Sequence, residues 1–430
     1  MSELPVLLFD VQIHLKNKDH AGQFIGGIER VCTEELLRLI RSGHYEIYLV
    51  SSLGDEKYIP ILQKNIPELS FCKTFPLYVS FAWWALLIRK PIALLIKILS
   101  QTYVGSYNVL PFFRAFILKL WGMGLKPSRE FEKIKSRKII YYTCFNIFPL
   151  PIVAQKNIIK VAMIHDISPL RFPDCSPDVF WNFFMLFYSF AVQADYLFFM
   201  SEFTRDDFYS CFKTACRENS ITYGAADQRF HRYSEVEILT VKRKYKIPER
   251  APYALTVAAS SKRKNVDKII AAFVTFKERN PGNDTVLVIA GRIVEQEKEL
   301  SALVHKHADF IFSSGFVADG DLPILYSGAL MYIFLSSYEG FGLPILEAFQ
   351  SGVPVIASQL TSLPEIGGEA AEWILPDQQE KLAVLIKDLT LNCPKREKLI
   401  SAGEKQARLF SWDKHVYIID EVLKQLAEDK

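Results

Sequence analysis

The stretch SYEGFGLPILEAFQSGVPVIAS, residues 337–358, constrains the fold more than any other part of the sequence. Gly340 and Gly342 predict a sharp turn, because glycine lacks a Cβ and lets the backbone approach a ligand closely. Residues 343–351 then predict a helix, and residues 353–357 form a β-branched apolar run that is typical of a buried parallel strand. A glycine turn that leads into a helix and then a buried strand indicates an α/β domain with a parallel sheet.

Two glutamates flank this turn, and the predicted helix begins beside them. The unpaired amides and the positive end of the helix dipole would hold an anion such as a diphosphate. Glu347 can accept two hydrogen bonds from a vicinal diol such as a ribose, while Glu339 would lie beside the reactive end of the ligand. The stretch therefore predicts a sugar-nucleotide site. The alternative is an acidic helix start that only interacts favourably with the dipole.

The first half of the chain alternates between apolar strands and amphipathic helices. It opens with a predicted strand over residues 6–11, a turn at Gly26 and Gly27, a helix over residues 28–40 and a second strand at Glu46–Val50. The turn could present amides to a phosphate or an acceptor, although tight packing explains it nearly as well. Later strands are predicted at residues 139–143, 160–164, 196–200 and 220–222.

The same alternation restarts at residue 253, after Pro248 and Pro252, which block helix continuation. From there, apolar runs alternate with helical ones, beginning with a predicted helix over residues 266–278. The sequence therefore predicts two doubly wound α/β domains, over residues 1–250 and 251–411, followed by a last helix in residues 412–430.

Composition narrows the class of protein. With 430 residues, half of them hydrophobic, the chain is long enough for two such domains. A net charge of +3, without a basic block interleaved with aromatics, argues against nucleic-acid binding. The seven cysteines include no C-x-x-C pair, which argues against a disulfide framework and a zinc site. The first residues predict a strand and not a signal peptide, so we expect a cytoplasmic protein.

An insertion over residues 69–130 is basic and aromatic. From residue 69 through residue 129 there is no Asp or Glu, whereas eight Lys and Arg interrupt a run rich in Trp, Phe, Leu and Ile. Its uncharged segments are shorter than the roughly 20 residues that a spanning helix requires. Trp83, Trp84 and Trp121 beside cations are typical of interfacial helices, so we expect contact with a membrane surface. The alternative is a helical insertion buried against the N-terminal core or a dimer partner.

The C-terminal half resembles the donor-binding domain of retaining family 4 glycosyltransferases. The matching motifs are Glu-Gly-Phe-Gly-Leu-Pro at residues 339–344, Leu-Glu-Ala at 346–348, Gly-x-Pro-Val at 352–355 and Pro-Glu at 364–365. The resemblance covers the C-terminal domain well and the first 160 residues poorly. It implies the GT-B fold, in which two Rossmann-like domains face a cleft and the last helix returns to the N-terminal domain.

The resemblance also implies an activity: retaining transfer of a sugar from a nucleotide diphosphate sugar to a hydroxyl acceptor. No metal is expected, and no cofactor besides the donor substrate. The residues of the motifs are most similar to those of bacterial mannosyl- and rhamnosyltransferase-like members that build surface polysaccharides. The partners would then be a nucleotide sugar and a saccharide or polyprenyl-linked acceptor, met in the cytoplasm or on the inner face of the cytoplasmic membrane.

Site roles follow from the same resemblance. His165 matches a strand-end histidine that contacts the transferred sugar, and Lys264 matches the second member of a basic pair that neutralises the diphosphate. The first member of that pair is replaced by Ala259, so Arg263 is expected to compensate. The expected catalytic residues are His165, Glu339 and Lys264. The expected donor-binding residues are Arg263, Lys264, Phe316, Val317, Gly340, Phe341, Gly342, Leu343 and Glu347, with Phe316 and Val317 holding the base through backbone groups, and Gly26 and Gly27 would face the cleft.

Two kinds of alternative stay open at this stage, another enzyme on the same fold and a protein without catalysis. An epimerase on the same fold would need no acceptor, and a phosphorylase would require phosphate. A nucleotide-sugar-binding partner without catalysis would account for the missing cation at Ala259. Against the latter, Glu339, Glu347 and Lys264 are all in place.

Overall fold

The computed structural model describes residues 3–15, 27–51, 55–76, 128–144, 155, 157–172, 191–213, 216–257, 262–291 and 298–429. Three features predicted from the sequence lie outside them: most of the 69–130 insertion, Gly26 and Ala259. The chain divides into two compact units. The first consists of Met1–Thr222 with Trp412–Lys430, and the second is Tyr223–Ser411.

The first unit is built on a seven-stranded parallel sheet. Its strands are β1 (Val6–Asp10), β2 (Glu46–Val50), β3 (Lys73–Thr74), β4 (Ile139–Thr143), β5 (Ile158–Ile164), β6 (Tyr196–Phe199) and β7 (Asn219–Ile221). Their order is β3-β2-β1-β4-β5-β6-β7. The central strands β1 and β4 are buried along their whole length, as expected for apolar strands covered on both faces. The helices are α1 (Gly27–Ser42), α2 (Ile59–Asn65), α3 (Arg129–Ile134), α4 (Ser168–Arg171) and α5 (Glu202–Cys211).

The second unit has a six-stranded parallel sheet. Its strands are β8 (Tyr253–Val257), β9 (Val286–Ala290), β10 (Ile311–Gly315), β11 (Met331–Phe334), β12 (Val355–Ser358) and β13 (Ala371–Ile374), in the order β10-β9-β8-β11-β12-β13. The helices are α6 (Glu235–Lys244), α7 (Val266–Arg279), α8 (Lys298–Lys306), α9 (Leu322–Ser327), α10 (Leu343–Gln350), α11 (Leu363–Gly367), α12 (Gln379–Leu391) and α13 (Cys393–Ala407). The predicted α/β fold with two doubly wound, Rossmann-like domains is confirmed.

The second unit begins earlier in the sequence than predicted. The expected boundary followed residue 250, whereas the structure assigns Tyr223 and everything up to Ser411 to the second unit. The reason is packing: α6 lies against α9, and the backbone N–H of Tyr233 donates to Ser327 Oγ over 2.7 Å. Pro248 and Pro252 lie in the connection between α6 and β8, inside this unit, and do not mark its edge.

The C-terminal helix α14 (Trp412–Asp429) belongs to the first unit, where it packs against α1. Its buried residues include Ile419 and Leu423, which supply an apolar stripe at the spacing of one helix turn. In the described part of the chain, no helix is both long enough and apolar enough to cross a membrane.

Candidate functional site

The strand order of the second unit reverses between β8 and β11, which are neighbours in the sheet. Open α/β sheets bind ligands at such a point, beyond the carboxyl ends of the strands. The loop that carries Arg263 and Lys264 follows β8, and the turn that begins at Glu339 follows β11. Two loops that are far apart in the sequence therefore meet where this architecture favours a ligand.

Glu339 is the centre of this meeting point. Its Oε1 accepts from Arg263 Nη1 over 2.6 Å and from Lys264 Nζ over 2.7 Å. Burial acts to raise the pKa of Glu339, but the charges of Lys264 and Arg263 outweigh burial and hold the pKa below its ordinary value. The carboxylate therefore stays ionised at neutral pH and fixes both cations at the end of the sheet.

The basic loop is fixed by Asn265, which precedes α7 in the left-handed conformation with φ of +51°. Asparagine tolerates this conformation better than most residues. Its buried side-chain amide donates to Leu335 O and to Ser337 Oγ, both over 2.7 Å. Lys264 Nζ also lies 4.5 Å from the centre of the Phe334 ring, a cation–π contact. These contacts attach the basic loop to the end of β11.

The glycine turn has the conformation that its sequence predicts. Gly342 has φ of +113°, which strains any other residue, and a Cβ at this position would lie 2.8 Å from Leu363 Cδ2, so the Leu363 side chain would have to move. Leu343 is the first residue of α10. The Phe341 ring is buried and stacks on Tyr223 with centroids 6.3 Å apart, so the backbone is what Phe341 can offer a ligand.

Two residues that the sequence did not single out hold the backbone of this turn. Thr361 Oγ1 accepts from the Glu339 N–H over 3.1 Å, and Ser362 Oγ lies 2.9 Å from Glu339 O and 2.8 Å from Phe341 O. Thr361 has φ of +60°, which is strained for a β-branched residue and occurs mainly at functional sites. The available signal was a serine just before a helix, but Ser362 makes no capping bond to α11 and bonds to the turn instead.

Glu347 is buried in α10, in the same stretch of chain as Glu339. It lies close to the buried phenols of Tyr326 and Tyr332. The pKa of Tyr326 is raised well above its ordinary value, first by burial and then by the neighbouring Tyr332 and Glu347. A carboxylate has about four lone-pair sites, so contact with a phenol leaves acceptor capacity for a diol.

The residues expected at the base follow β10. Phe316 is 62% exposed, and Val317 is half-buried. Gly315, just before them, has φ of +65°, a value that favours glycine and turns the chain out of the sheet. An exposed aromatic ring next to such a turn is available to a ligand.

In the first unit, His165 follows β5 and is buried, and its Nε2 has no hydrogen-bond partner among the described residues. Burial lowers the pKa of His165 to about 4, so the ring is neutral at pH 7. Gly27 is the exposed first residue of α1. Of the three expected catalytic residues, the structure places His165 in the first unit and brings Glu339 and Lys264 together in the second.

A buried carboxylate, Glu35, joins three elements of the first unit. Its Oε1 lies 2.9 Å from His415 Nε2 of α14, and its Oε2 accepts from Tyr142 Oη over 2.9 Å and from Cys144 Sγ over 3.4 Å. The pair with His415 connects residues 380 positions apart in the sequence, which no local pattern could have indicated.

Among the described residues, one set of potential metal ligands comes together. The ligand atoms of Cys32, Cys144 and His165 lie within 4.8 Å of one another. Burial raises the pKa of both thiols, which disfavours the thiolate form that binds metals, and Cys144 Sγ already donates to Glu35. The set fits packing inside the unit better than it fits metal binding.

Comparison with known proteins identifies the family. Residues 237–406, which contain the whole cluster around Glu339, match the model of glycosyl transferases group 1. The O-antigen chain mannosyltransferase B of Escherichia coli is 30% identical over 296 residues, spanning 67% of this chain and 75% of that protein. The chain is a group 1 glycosyltransferase.

Two further similarities have narrower scope. The serotype-specific mannosyltransferase WbdA of Escherichia coli is 32% identical to this glycosyltransferase over 206 residues, which span 46% of this chain and only 24% of WbdA. The crystal structure of HepE from Anabaena in complex with UDP and glucose has a TM-score of 0.65 and is 15% identical, covering 98% of this chain and 100% of that one. The second similarity concerns the fold alone.

The low pKa of His165 predicts how the glycosyltransferase responds to acid. The folded state binds its proton near pH 4, whereas the unfolded chain binds it near pH 6.5. Between these values the unfolded state holds more protons, so the free energy of unfolding falls as pH decreases, by about 3 kcal/mol in total for this residue.

We expect His165→Asn to remove the contribution of His165 to this acid-induced loss of stability. The measurement is urea unfolding between pH 7 and pH 4. His305→Asn, at an exposed histidine, should leave the slope unchanged, and an unchanged slope in His165→Asn would contradict the buried neutral ring.

Proposed function

We propose that this glycosyltransferase transfers mannose from a nucleotide diphosphate sugar to a saccharide or lipid-linked saccharide acceptor in the synthesis of a cell-surface polysaccharide. The names of the two Escherichia coli relatives support the sugar, and the O-antigen chain in the first name supports the product. The observation that carries the proposal is the pair of cations, Arg263 and Lys264, held by Glu339 at the strand-order reversal of the second unit.

In the proposed reaction, the bond between the anomeric carbon and the diphosphate oxygen breaks, and a bond to the acceptor oxygen forms. The acceptor proton passes to the departing diphosphate. Because the bonding electrons leave with the diphosphate oxygen, negative charge develops there before the proton arrives, and Lys264, Arg263 and the amide-rich starts of α7 and α10 would stabilise it. Because these donors are fixed before the reaction, little reorganisation is needed when the charge appears.

We further propose that the configuration at the anomeric carbon is retained and that no metal is required. Glu339 is held in ion pairs by two cations, so it is better suited to holding those cations than to attacking the anomeric carbon. Reaction on the face of the leaving group then gives retention. The same two cations supply positive charge at the place where a metal would otherwise act. The donor nucleotide sugar is the only small molecule that the proposal requires.

The remaining site residues are proposed to hold the sugar and the nucleoside. Glu347 would accept hydrogen bonds from the ribose diol, and the backbone of Phe316 and Val317 would contact the base. His165 would meet the transferred sugar through Nε2, which has no hydrogen-bond partner in the described part of the chain, as a neutral ring that can donate or accept. The amides of Gly340, Gly342 and Leu343 would face the diphosphate, and Gly26 and Gly27 the phosphate or the acceptor.

A lipid-linked acceptor would be met at the inner face of the cytoplasmic membrane. The support for this is the sequence of residues 69–130, where three tryptophans lie among eight cations and the first acidic residue is at position 130. Such a composition suits contact with anionic headgroups.

The test is turnover of a donor panel by the purified full-length protein: GDP-mannose, GDP-fucose, UDP-glucose, UDP-galactose and dTDP-rhamnose, each with saccharide and polyprenyl-linked acceptors. We expect GDP-mannose to release GDP and to label an acceptor. Epimerised donor without acceptor, or phosphate-dependent release of sugar phosphate, would replace the proposal by one of the other enzymes of this fold. Tight nucleotide binding without turnover of any donor would contradict it in favour of a non-catalytic partner.

A further inference from the structure

We infer that Arg229 and Tyr245 are positioning residues for the nucleoside part of the donor, acting through the loop at residues 316–321, here called the base loop. The inference rests on the proposed function, in which Phe316 and Val317 of this loop contact the base. Neither Arg229 nor Tyr245 lies in the motifs that the sequence shares with family 4 enzymes, and both act from the segment that precedes β8.

Arg229 links the base loop to a second segment of the site. Its Nη1 donates to Asp319 Oδ2 over 2.7 Å, while its Nε and Nη2 donate to Asp227 Oδ2 over 3.0 and 2.8 Å. Asp227 in turn accepts, through its backbone carbonyl, from Gln350 Nε2 over 2.7 Å. Gln350 is the last residue of α10, the helix that carries Glu347. The guanidinium fork thus ties the base loop to the helix proposed to hold the ribose.

Tyr245 holds the other end of the base loop. Its hydroxyl donates to Asp321 Oδ2 over 2.6 Å and accepts from the backbone N–H of Ala318 over 3.0 Å. Lys244 Nζ reaches the same Asp321 carboxylate over 2.5 Å. The half-buried phenol therefore fixes both a side chain and the backbone of the loop, whereas Phe316 at its start remains exposed.

A loop that is already fixed loses little conformational freedom when it binds a ligand. Loss of these bonds would leave the base loop free to sample other conformations. The nucleoside would then bind only those protein molecules in which the loop has the binding conformation, and its apparent affinity would fall. The diphosphate is proposed to bind at Arg263, Lys264 and the glycine turn, none of which contacts Arg229 or Tyr245 in the hydrogen bonds given above. Affinity for the nucleoside and affinity for the diphosphate should therefore separate.

The experiment compares two probes by isothermal titration calorimetry on the full-length protein. The first is whichever of GDP, UDP, ADP and dTDP the wild type binds most tightly, and the second is inorganic pyrophosphate, which has no base or ribose. We expect Tyr245→Phe and Arg229→Lys each to raise the Kd of the nucleoside diphosphate about five- to tenfold, and to change the Kd of pyrophosphate less than twofold. Tyr417→Phe, at a tyrosine that is 65% exposed, is the matched control and should change neither.

The outcomes separate the inference from the proposed function. If the wild type binds a nucleoside diphosphate and both variants bind it equally well, the inference is wrong and the proposed function stands. Equal weakening of both probes would also overturn it, because a general loss of structure weakens every ligand; the unfolding midpoint of each variant checks for this. If the wild type binds pyrophosphate but none of the four nucleotides, the proposed function fails, and the inference with it.

Discussion

Lys264→Ala is expected to lower kcat/KM for the nucleotide sugar about a hundredfold or more, mainly through kcat. Removing one preorganised donor from a developing negative charge typically has an effect of this size. Lys264 is held by Glu339 and by the Phe334 ring, and it is mostly buried, so bulk water screens its charge poorly. The measurement is steady-state release of the nucleoside diphosphate at saturating acceptor.

A matched control removes a lysine of the same unit elsewhere. Lys306→Ala, at an exposed position at the end of α8, should retain the activity of the wild type. Arg263 remains paired with Glu339 in the Lys264→Ala variant, so the fold of the site should be preserved and the unfolding midpoint little changed. A rate within threefold of the wild type would show that the diphosphate does not depend on this cation.

Glu347→Gln is expected to raise the KM for the donor about 10- to 100-fold, because charge-assisted hydrogen bonds to the ribose diol are replaced by weaker neutral ones. The change keeps the size of the side chain, so the packing of α10 should survive. A donor that lacks the 2′- or the 3′-hydroxyl tests the contact itself. With the wild type, each deoxy donor should lose affinity; with Glu347→Gln, the further loss should be small, since the partner is already gone.

The control for this comparison of deoxy donors is Glu380→Gln, at a carboxylate that is 70% exposed on α12. It should leave the KM and the response to deoxy donors unchanged. If the substitution and the missing hydroxyl weakened donor binding by fully additive amounts, the carboxylate would not contact the ribose. Its burial beside Tyr326 and Tyr332 would then be its whole role.

Local features of the fold could be predicted from the sequence because they depend on neighbouring residues. The strands Glu46–Val50 and Ile139–Thr143 occur at the predicted residues, since each contains four consecutive apolar or aromatic residues. The turn, helix and strand of residues 337–358 also occur in the predicted order, because the glycines, Pro344 and the β-branched run all lie within one short stretch.

Other features depend on residues far apart in the chain, and the periodicity of hydrophobic residues along the sequence does not indicate them. The pair of Arg229 with Asp319 spans 90 positions, and that of His415 with Glu35 spans 380. Thr361 is a different case: its positive φ contradicts the local preference of a β-branched residue, and its bond to the Glu339 N–H is a contact that the local sequence does not indicate. The domain boundary was wrong because prolines mark local breaks, whereas packing decides which unit a segment joins.

We propose that the cations around Glu339 support retaining transfer without a metal. The most direct test supplies an α-linked nucleotide sugar and an acceptor to enzyme treated with EDTA, follows the rate, and reads the configuration of the new bond from its one-bond carbon–hydrogen coupling by NMR. We expect an α-linked product, formed at the rate seen without EDTA. A β-linked product, or a rate that EDTA abolishes and Mg²⁺ or Mn²⁺ restores, would contradict it.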